Sequence, residues 1–373
     1  MHSIHLHYTL GHRSETQELA GKETALLSHP LMALLQALAD QGSISAAARQ
    51  LSLSYRHVWG ELKRWEDVLG HELIVWEKGQ SARLTEFGDK LMWAERLTQA
   101  RLAPQLEALR ADLERTFAVA FDPQAHVLTL YASHDDALPR LREQAASTGL
   151  HLDIRFCGSV DAIRALNEGR CTLAGLHTQT HPEPNSHTAK AYRDLLQPGL
   201  HKIIGFATRT QGLITASGNP KHLHNLRDVV LSQARFVQRS PGTGTRVLLD
   251  DLLANEQLTA SDLHSWAAEE PSHTALAETI ASGRADVGLG LESAARARRL
   301  GFVPLVQEQF YLVCLKSALD SPATQALRSL LQQSVWRDTL NTLPGYQAQD
   351  SGQVQSLRQQ LPWWTFQRAK KTS

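Results

Sequence analysis

Between residues 85 and 117 the chain reads as one uninterrupted helix, TEFGDKLMWAERLTQARLAPQLEALRADLERTF. Leu91, Ala94, Leu97, Leu102, Leu106, Leu109 and Leu113 recur at helical spacing, and Pro104 is expected to kink the rod. A lone amphipathic helix of that length needs something to cover its apolar face, and a second copy of the chain is the expected partner. The helix also sets the organisation: a first block over 1–90, the rod over 85–120, and a third block over 121–373.

Composition narrows the class more than it names a partner. A chain of 373 residues is too long for one ordinary core, and 42% hydrophobic residues can fill two or three. Lys+Arg and Asp+Glu are equal at 38 each, so net charge selects no ligand. Cys157, Cys171 and Cys314 are odd in number and widely spaced, which fits a reduced cytosol, and no CxxC pair suggests zinc. No apolar run reaches membrane-spanning length. The start, MHSIHLHYTLGH, alternates apolar Ile4, Leu6, Tyr8 and Leu10 with polar residues, as a half-buried strand does and a secretion signal does not. A cytoplasmic protein is expected. The 18 histidines are scattered, with no ligand spacing, so neither a metal nor a cofactor is expected.

The first block has the order of a DNA reader. Residues 31–40 form a helix stopped by Gly42. Ser43 or Ser45 caps a short helix over 46–51, whose alanines permit close approach, and SLS is a tight turn. Ser54 caps a third helix that runs to Leu69 and ends at Gly70. Two helices joined by a short turn, the second opening on polar side chains, is helix-turn-helix order. Ser54, Tyr55, Arg56 and His57 fall in the first turn, where base edges are read, and Lys63 and Arg64 could meet phosphates. Residues 73–77 and 82–85 form a hairpin whose Lys-Gly-Gln tip carries Lys78, a wing to rest on the duplex. Residues 1–120 hold 13 Lys+Arg against 15 Asp+Glu, so only 49–64 is locally positive and a pI-based test would miss the reader.

In the third block strands and helices alternate, which implies a mainly parallel sheet with covered faces. Its most telling stretch is RSPGTGTRVLLDDLL, 239–253. Gly242 and Gly244 let the backbone turn its N–H groups inward, Thr243 and Thr245 add hydroxyls, and a helix N-terminus follows. Arg239 and Arg246 can add fork-shaped donors. Similar helix starts occur after Ser133 and at Gly158–Ser159, so three helix N-termini could cage one oxyanion. The polar stretch 177–188 reads as a lid-like loop. SHDD places Ser133, His134 and Asp135 side by side, but a catalytic relay is assembled from separate segments, so no enzyme is expected.

Two resemblances join these readings. GSISAAARQLSLSYRHVWGELKRWEDVLG followed by RLTEFGDKL resembles the winged helix of LysR-type regulators, and SYRHVW is similar to the molybdate-responsive ModE type; together they cover 1–117. SHDDAL, GSVDAIRALNEGRCTLAGLH, RTQGLITASGNP, RSPGTGTRVLLDDLL, RADVGLG and VPLVQEQFYLVCL resemble the periplasmic-binding-protein-like domain that includes molybdate and tungstate receptors. The resemblance implies an α+β winged helix-turn-helix, a long dimerisation helix, and a two-lobed α/β periplasmic-binding-protein-like (type II) domain. Its first lobe would span about 125–205 and 305–345 and its second about 206–304, joined by crossing segments near 203–212 and 303–313. It places the ligand on Ser133, Ser159, Arg209, Thr243, Thr245 and Arg246, with His177 and Tyr311 beside them. The expected protein is a homodimeric or homotetrameric regulator of operator DNA, with no membrane partner. Its expected effector is a small oxyanion, molybdate or tungstate; a small carboxylate such as formate, tied to a molybdenum-enzyme operon, is the alternative.

Overall fold

The computed structural model describes residues 29–75, 81–121 and 126–364. The strand expected at the start and the wing tip with Lys78 lie outside them. The chain divides into two compact units, Met1–Ala103 and Pro104–Ser373.

In the first unit α1 (Pro30–Gln41) opens on a proline, whose missing N–H costs nothing at that position, and stops at Gly42 with φ 61°. Ser43 caps α2 (Ile44–Gln50) by accepting from the Ala46 N–H, and Ser54 caps α3 (Tyr55–Leu69) by accepting from the His57 N–H. Gly70, φ 69°, ends α3. Leu31, Leu34, Leu35 and Leu38 pack with Ala47, Ala48, Val58 and Leu62 in one small core. The small alanines let α2 settle against its neighbours. The wing strands β1 (Ile74–Val75) and β2 (Arg83–Leu84) pair antiparallel. Buried Glu66 of α3 fixes their start by accepting from the N–H groups of Leu73 (2.9 Å) and Ile74 (3.4 Å). The long helix α4 (Glu86–Phe121) follows with Pro104 inside it, at the point where the second unit begins.

The second unit starts with the strands and helices of lobe 1: β3 (His126–Ala132), α5 (Ala137–Ala146), β4 (Leu150–Phe156), α6 (Ser159–Asn167), β5 (Leu173–Gln179) and α7 (His187–Tyr192). The chain then crosses on β6 (His201–Thr215). Lobe 2 holds α8 (Leu226–Leu231), β7 (Phe236–Arg239), α9 (Gly244–Asn255), β8 (Ser265–Glu270), α10 (His273–Ala281), β9 (Val287–Leu291) and α11 (Glu292–Ala297). It returns on β10 (Gly301–Leu315) and closes with α12 (Pro322–Gln332), α13 (Ser334–Asn341), β11 (Tyr346–Gln347), β12 (Val354–Gln355) and α14 (Leu357–Gln360).

These strands form one sheet in the order β4-β3-β5-β10-β6-β9-β7-β8, with β11 and β12 also on β6. The mainly parallel sheet expected from strand–helix alternation is corrected to a mixed one. Within the lobes β3 pairs parallel with β4 and β5, and β7 with β8 and β9. The joints β10–β5, β10–β6 and β6–β9 are antiparallel. The reason is topological: a chain that crosses to a second lobe and comes back beside its own path must run in the opposite direction. Each lobe keeps its own apolar cluster, around Leu130, Phe206 and Trp336 in lobe 1 and around Leu213, Phe236 and Leu249 in lobe 2. Among the described residues no helix is long and apolar enough to cross a membrane, and no group of three His, Cys, Asp or Glu side chains is placed to hold a metal ion.

Candidate functional site

In open α/β sheets ligands sit outside the carboxyl ends of parallel strands. Four such ends converge here. Ser133 and His134 follow β3; Cys157 and Gly158 follow β4; Arg239, Ser240, Pro241 and Thr243 end β7 and begin α9; Pro271 follows β8. Together with Phe156, and with Pro104, Gln105 and Ala108 of α4, they line a cavity of about 250 Å³.

The charge in that cavity belongs to Arg239. It is 2% exposed, and its Nη2 donates to the Pro271 carbonyl at 3.0 Å. Its Nε and Nη1 are buried with no hydrogen-bond partner among the described residues. Burial, with the nearby Arg209 charge, brings its pKa down to about 9, although Asp136, Glu270 and Asp135 pull the other way. A buried cation with unspent N–H groups is costly unless something comes to meet it.

The cavity's rim suits an anion. Gly158 and Thr243 are the N-cap positions of α6 and α9, so two helix N-termini border it. Ser133 and Ser159 share a hydrogen bond between their Oγ atoms at 3.0 Å. Thr243 spends its own hydroxyl proton on the Ser240 carbonyl at 2.8 Å. The lobes touch here: a Cβ on Gly158 would stand 2.7 Å from the Gly242 carbonyl oxygen, and Gly242 itself has φ 75°. The third helix N-terminus expected in the cage is already occupied, because Asp135 Oδ1 accepts from the Ala137 N–H at 2.8 Å.

Arg209 departs from the expectation in the same way. Its Nη1 pairs with Asp135, its Nε donates to Glu308 Oε2 at 2.7 Å, and its Nη2 donates to His177 Nδ1 at 3.0 Å. Burial would lower its pKa, but Glu308 and Asp135 more than offset that and raise it. His177 is therefore an acceptor to Arg209 and no cavity wall; burial and then Arg209 hold its pKa well below 6.5. Gln211 adds hydrogen bonds to Glu308 (2.8 Å) and to Thr245 (3.2 Å). Thr245 of α9 is thus part of this internal network, which ties the crossing strands to both lobes. Tyr311 is buried in the lobe 1 cluster with Tyr192 and Leu176, and burial pushes its phenol up to about 12. Arg246 is partly exposed on α9 and does not line the cavity.

A clasp between lobes was not foreseen. Buried Asp251 of α9 accepts from the N–H groups of His187 (2.5 Å) and Thr188 (3.2 Å) and from the Thr188 hydroxyl (2.5 Å) at the start of α7. The 177–188 segment expected as a lid-like loop is the end of β5, a short connection, and this clasped helix start.

In the first unit Ser54, Tyr55, Arg56 and His57 are exposed at the start of α3, while Val58 and Leu62 on its other face are buried. Lys63 and Arg64 are exposed but ion-paired within the helix, to Glu66 at 2.6 Å and Glu61 at 2.7 Å.

Family comparison agrees with both halves. Residues 30–89 match the family described as bacterial regulatory helix-turn-helix protein, lysR family, and residues 141–332 match the PBP superfamily domain. The second match spans more than half of the chain, which belongs to the PBP superfamily. Among curated proteins the chain is similar to the uncharacterized YvgK of Bacillus subtilis (strain 168), 28% identical over 200 residues, or 54% of this chain and 64% of YvgK. It is also similar to the molybdenum-pterin-binding protein MopB of Rhodobacter capsulatus, 34% identical over 86 residues, or 22% of this chain and 32% of MopB. It therefore spans less than two thirds of the length of either protein. Among solved structures, full-length BenM aligns with 85% of this chain and 97% of its own at 13% identity, with a TM-score of 0.41. A Corynebacterium glutamicum OxyR C206 mutant aligns with 80% and 89% at 17% identity, with a TM-score of 0.39.

Proposed function

We propose that the protein is a cytoplasmic, DNA-binding transcriptional regulator whose second unit senses a small oxyanion through Arg239. The observation that carries this is the buried guanidinium with two nitrogens unspent, facing a cavity bordered by two helix N-termini. An oxyanion offers what those donors lack, and the donors need no Cys or His ligand set. Ser133 and Thr243 furnish the polar rim, with Ser159 hydrogen-bonded to Ser133 behind it. Arg209, Thr245 and His177 act behind it as the fixed frame.

Molybdate or tungstate is the first reading of the effector, supported by the rim of hydroxyls and helix N-termini and by the likeness to a protein named for molybdenum-pterin binding. A small carboxylate such as formate is the second; a single guanidinium with Phe156, Pro241 and Pro271 beside it favours one negative charge on an organic body. DNA is read by α3 through Ser54, Tyr55, Arg56 and His57, with Lys63, Arg64 and the wing's Lys78 toward the backbone. Exposed Leu102, Leu109, Leu113 and Phe117 on α4 supply an apolar stripe for a second copy, as a pseudo-palindromic operator requires.

Calorimetric titration of the full-length chain with molybdate, tungstate, sulfate and formate tests the effector. Saturable heat with one of them, abolished in Arg239→Met, is the expected result. Silence from all four, or an unchanged isotherm in the variant, removes Arg239 from the role.

A further inference from the structure

One wall of the cavity comes from neither lobe. Pro104, Gln105 and Ala108 lie on α4, the helix that begins at Glu86 just after the wing. This part of α4 is fastened to lobe 1 from inside the second unit. Arg142 Nη1 donates to the Glu107 carbonyl at 3.2 Å, and Arg115 Nε stands 3.5 Å from Asp153 Oδ2.

The third attachment is unfinished. Glu107 Oε2 lies 3.6 Å from His134 Nε2, an ion-pair distance but too long for a hydrogen bond. Both Glu107 Oε2 and His134 Nδ1 are buried without a hydrogen-bond partner among the described residues. His134 itself lines the cavity, is 8% exposed, and holds its ring 4.9 Å from that of Phe156. One side chain thus faces the space an anion would fill and also the helix that bounds it. Two buried, unspent polar atoms, one on buried His134 and one on partly exposed Glu107, mark a contact waiting for a small shift.

We infer that an anion seated on Arg239 acts directly on α4, with His134 and Glu107 as the positioning residues that carry its arrival. This rests on the Arg239 reading. The anion presses against the His134 ring from the cavity side, the ring closes the remaining gap to Glu107, and the 104–112 stretch of α4 is held more tightly to lobe 1. Coupling of this kind is reciprocal, so weakening the helix attachment weakens anion binding by the same factor.

The test uses the full-length chain, with molybdate and formate as probes, and reads calorimetric heat alongside hydrogen exchange of the amides in 104–112. In the parent, saturating probe slows that exchange by about 5- to 150-fold, the usual span of a coupling factor. In Glu107→Gln the probe still binds, weakened by no more than that factor, and the slowing is lost. Ala108→Trp, which fills the cavity from the helix side, weakens probe binding at least ~10-fold, as about 1.4 kcal/mol of lost contact would. Parent heat without any change in exchange, or full slowing in Glu107→Gln, overturns the inference and leaves Arg239 in place. No heat in the parent overturns the Arg239 reading, and this inference with it.

Discussion

Arg209 in the crossing strand β6 and Arg239 at the end of β7 are equally buried, at 2% exposure each, yet their surroundings are opposite. Arg209 meets Asp135, Glu308, His177 and the Phe310 ring, whose centroid is 5.3 Å away. Arg239 gives one N–H group to a carbonyl and keeps two nitrogens unspent. Burial alone therefore does not separate a structural cation from one that waits for a ligand. What separates them is whether the chain supplies the counter-charge within hydrogen-bond reach.

Replacing each arginine by methionine should break stability in opposite directions. Arg209→Met leaves two buried carboxylates facing each other and should cost about 3–5 kcal/mol in urea unfolding. A cost below about 1 kcal/mol would show that the network is not structural. Asp251→Asn removes the charge from the clasp between α9 and α7 and should cost about 1–3 kcal/mol. Arg239→Met should instead add about 1–2 kcal/mol, because it removes a buried group that lacks partners.

The sign of that last effect carries a pH signature. The folded-state pKa of Arg239, about 9, lies below the unfolded value of 12.5, because burial disfavours the charged form. Between those values the unfolded chain binds more protons, so its contribution to stability rises with pH there, and its cost is complete below pH 9. The advantage of Arg239→Met over the parent should hold level from pH 7 to about 9 and shrink above it, and the parent's anion affinity should fall above pH 9. An advantage independent of pH would contradict the assignment of the charge. The smallest effect is expected at Arg56, exposed at the start of α3: Arg56→Ala should move stability by less than about 0.5 kcal/mol while relaxing operator choice by about 1–3 kcal/mol.

Much of the architecture was legible in the residues because short-range chemistry decides it. Ser54 and Gly70 bracket α3 and Gly42 ends α1 as their residue types predict, whereas Thr243, expected only as a hydroxyl donor, caps α9. The strand direction across the lobes was not legible, since a period-2 pattern says nothing of which way the neighbour runs. Nor was the division of labour among the arginines. Arg239 lies in the 239–253 turn, where its residue type marks it only as one added donor, and the family resemblance points to Arg209. Asp135 and Glu308 lie 74 and 99 residues from Arg209, so no local pattern could announce that they neutralise it. His134, Glu107 and Asp251 were missed for the same reason: each acquires its meaning from a partner brought near by the fold.

The most direct test is a two-dimensional nitrogen–proton NMR spectrum of the arginine Nε–H groups, recorded at pH 7 while formate or molybdate is titrated in. The expected result is that the Arg239 Nε–H resonance moves and saturates with the anion while that of Arg209 stays fixed. Movement of Arg209, with Arg239 unchanged at saturation, would contradict the central assignment.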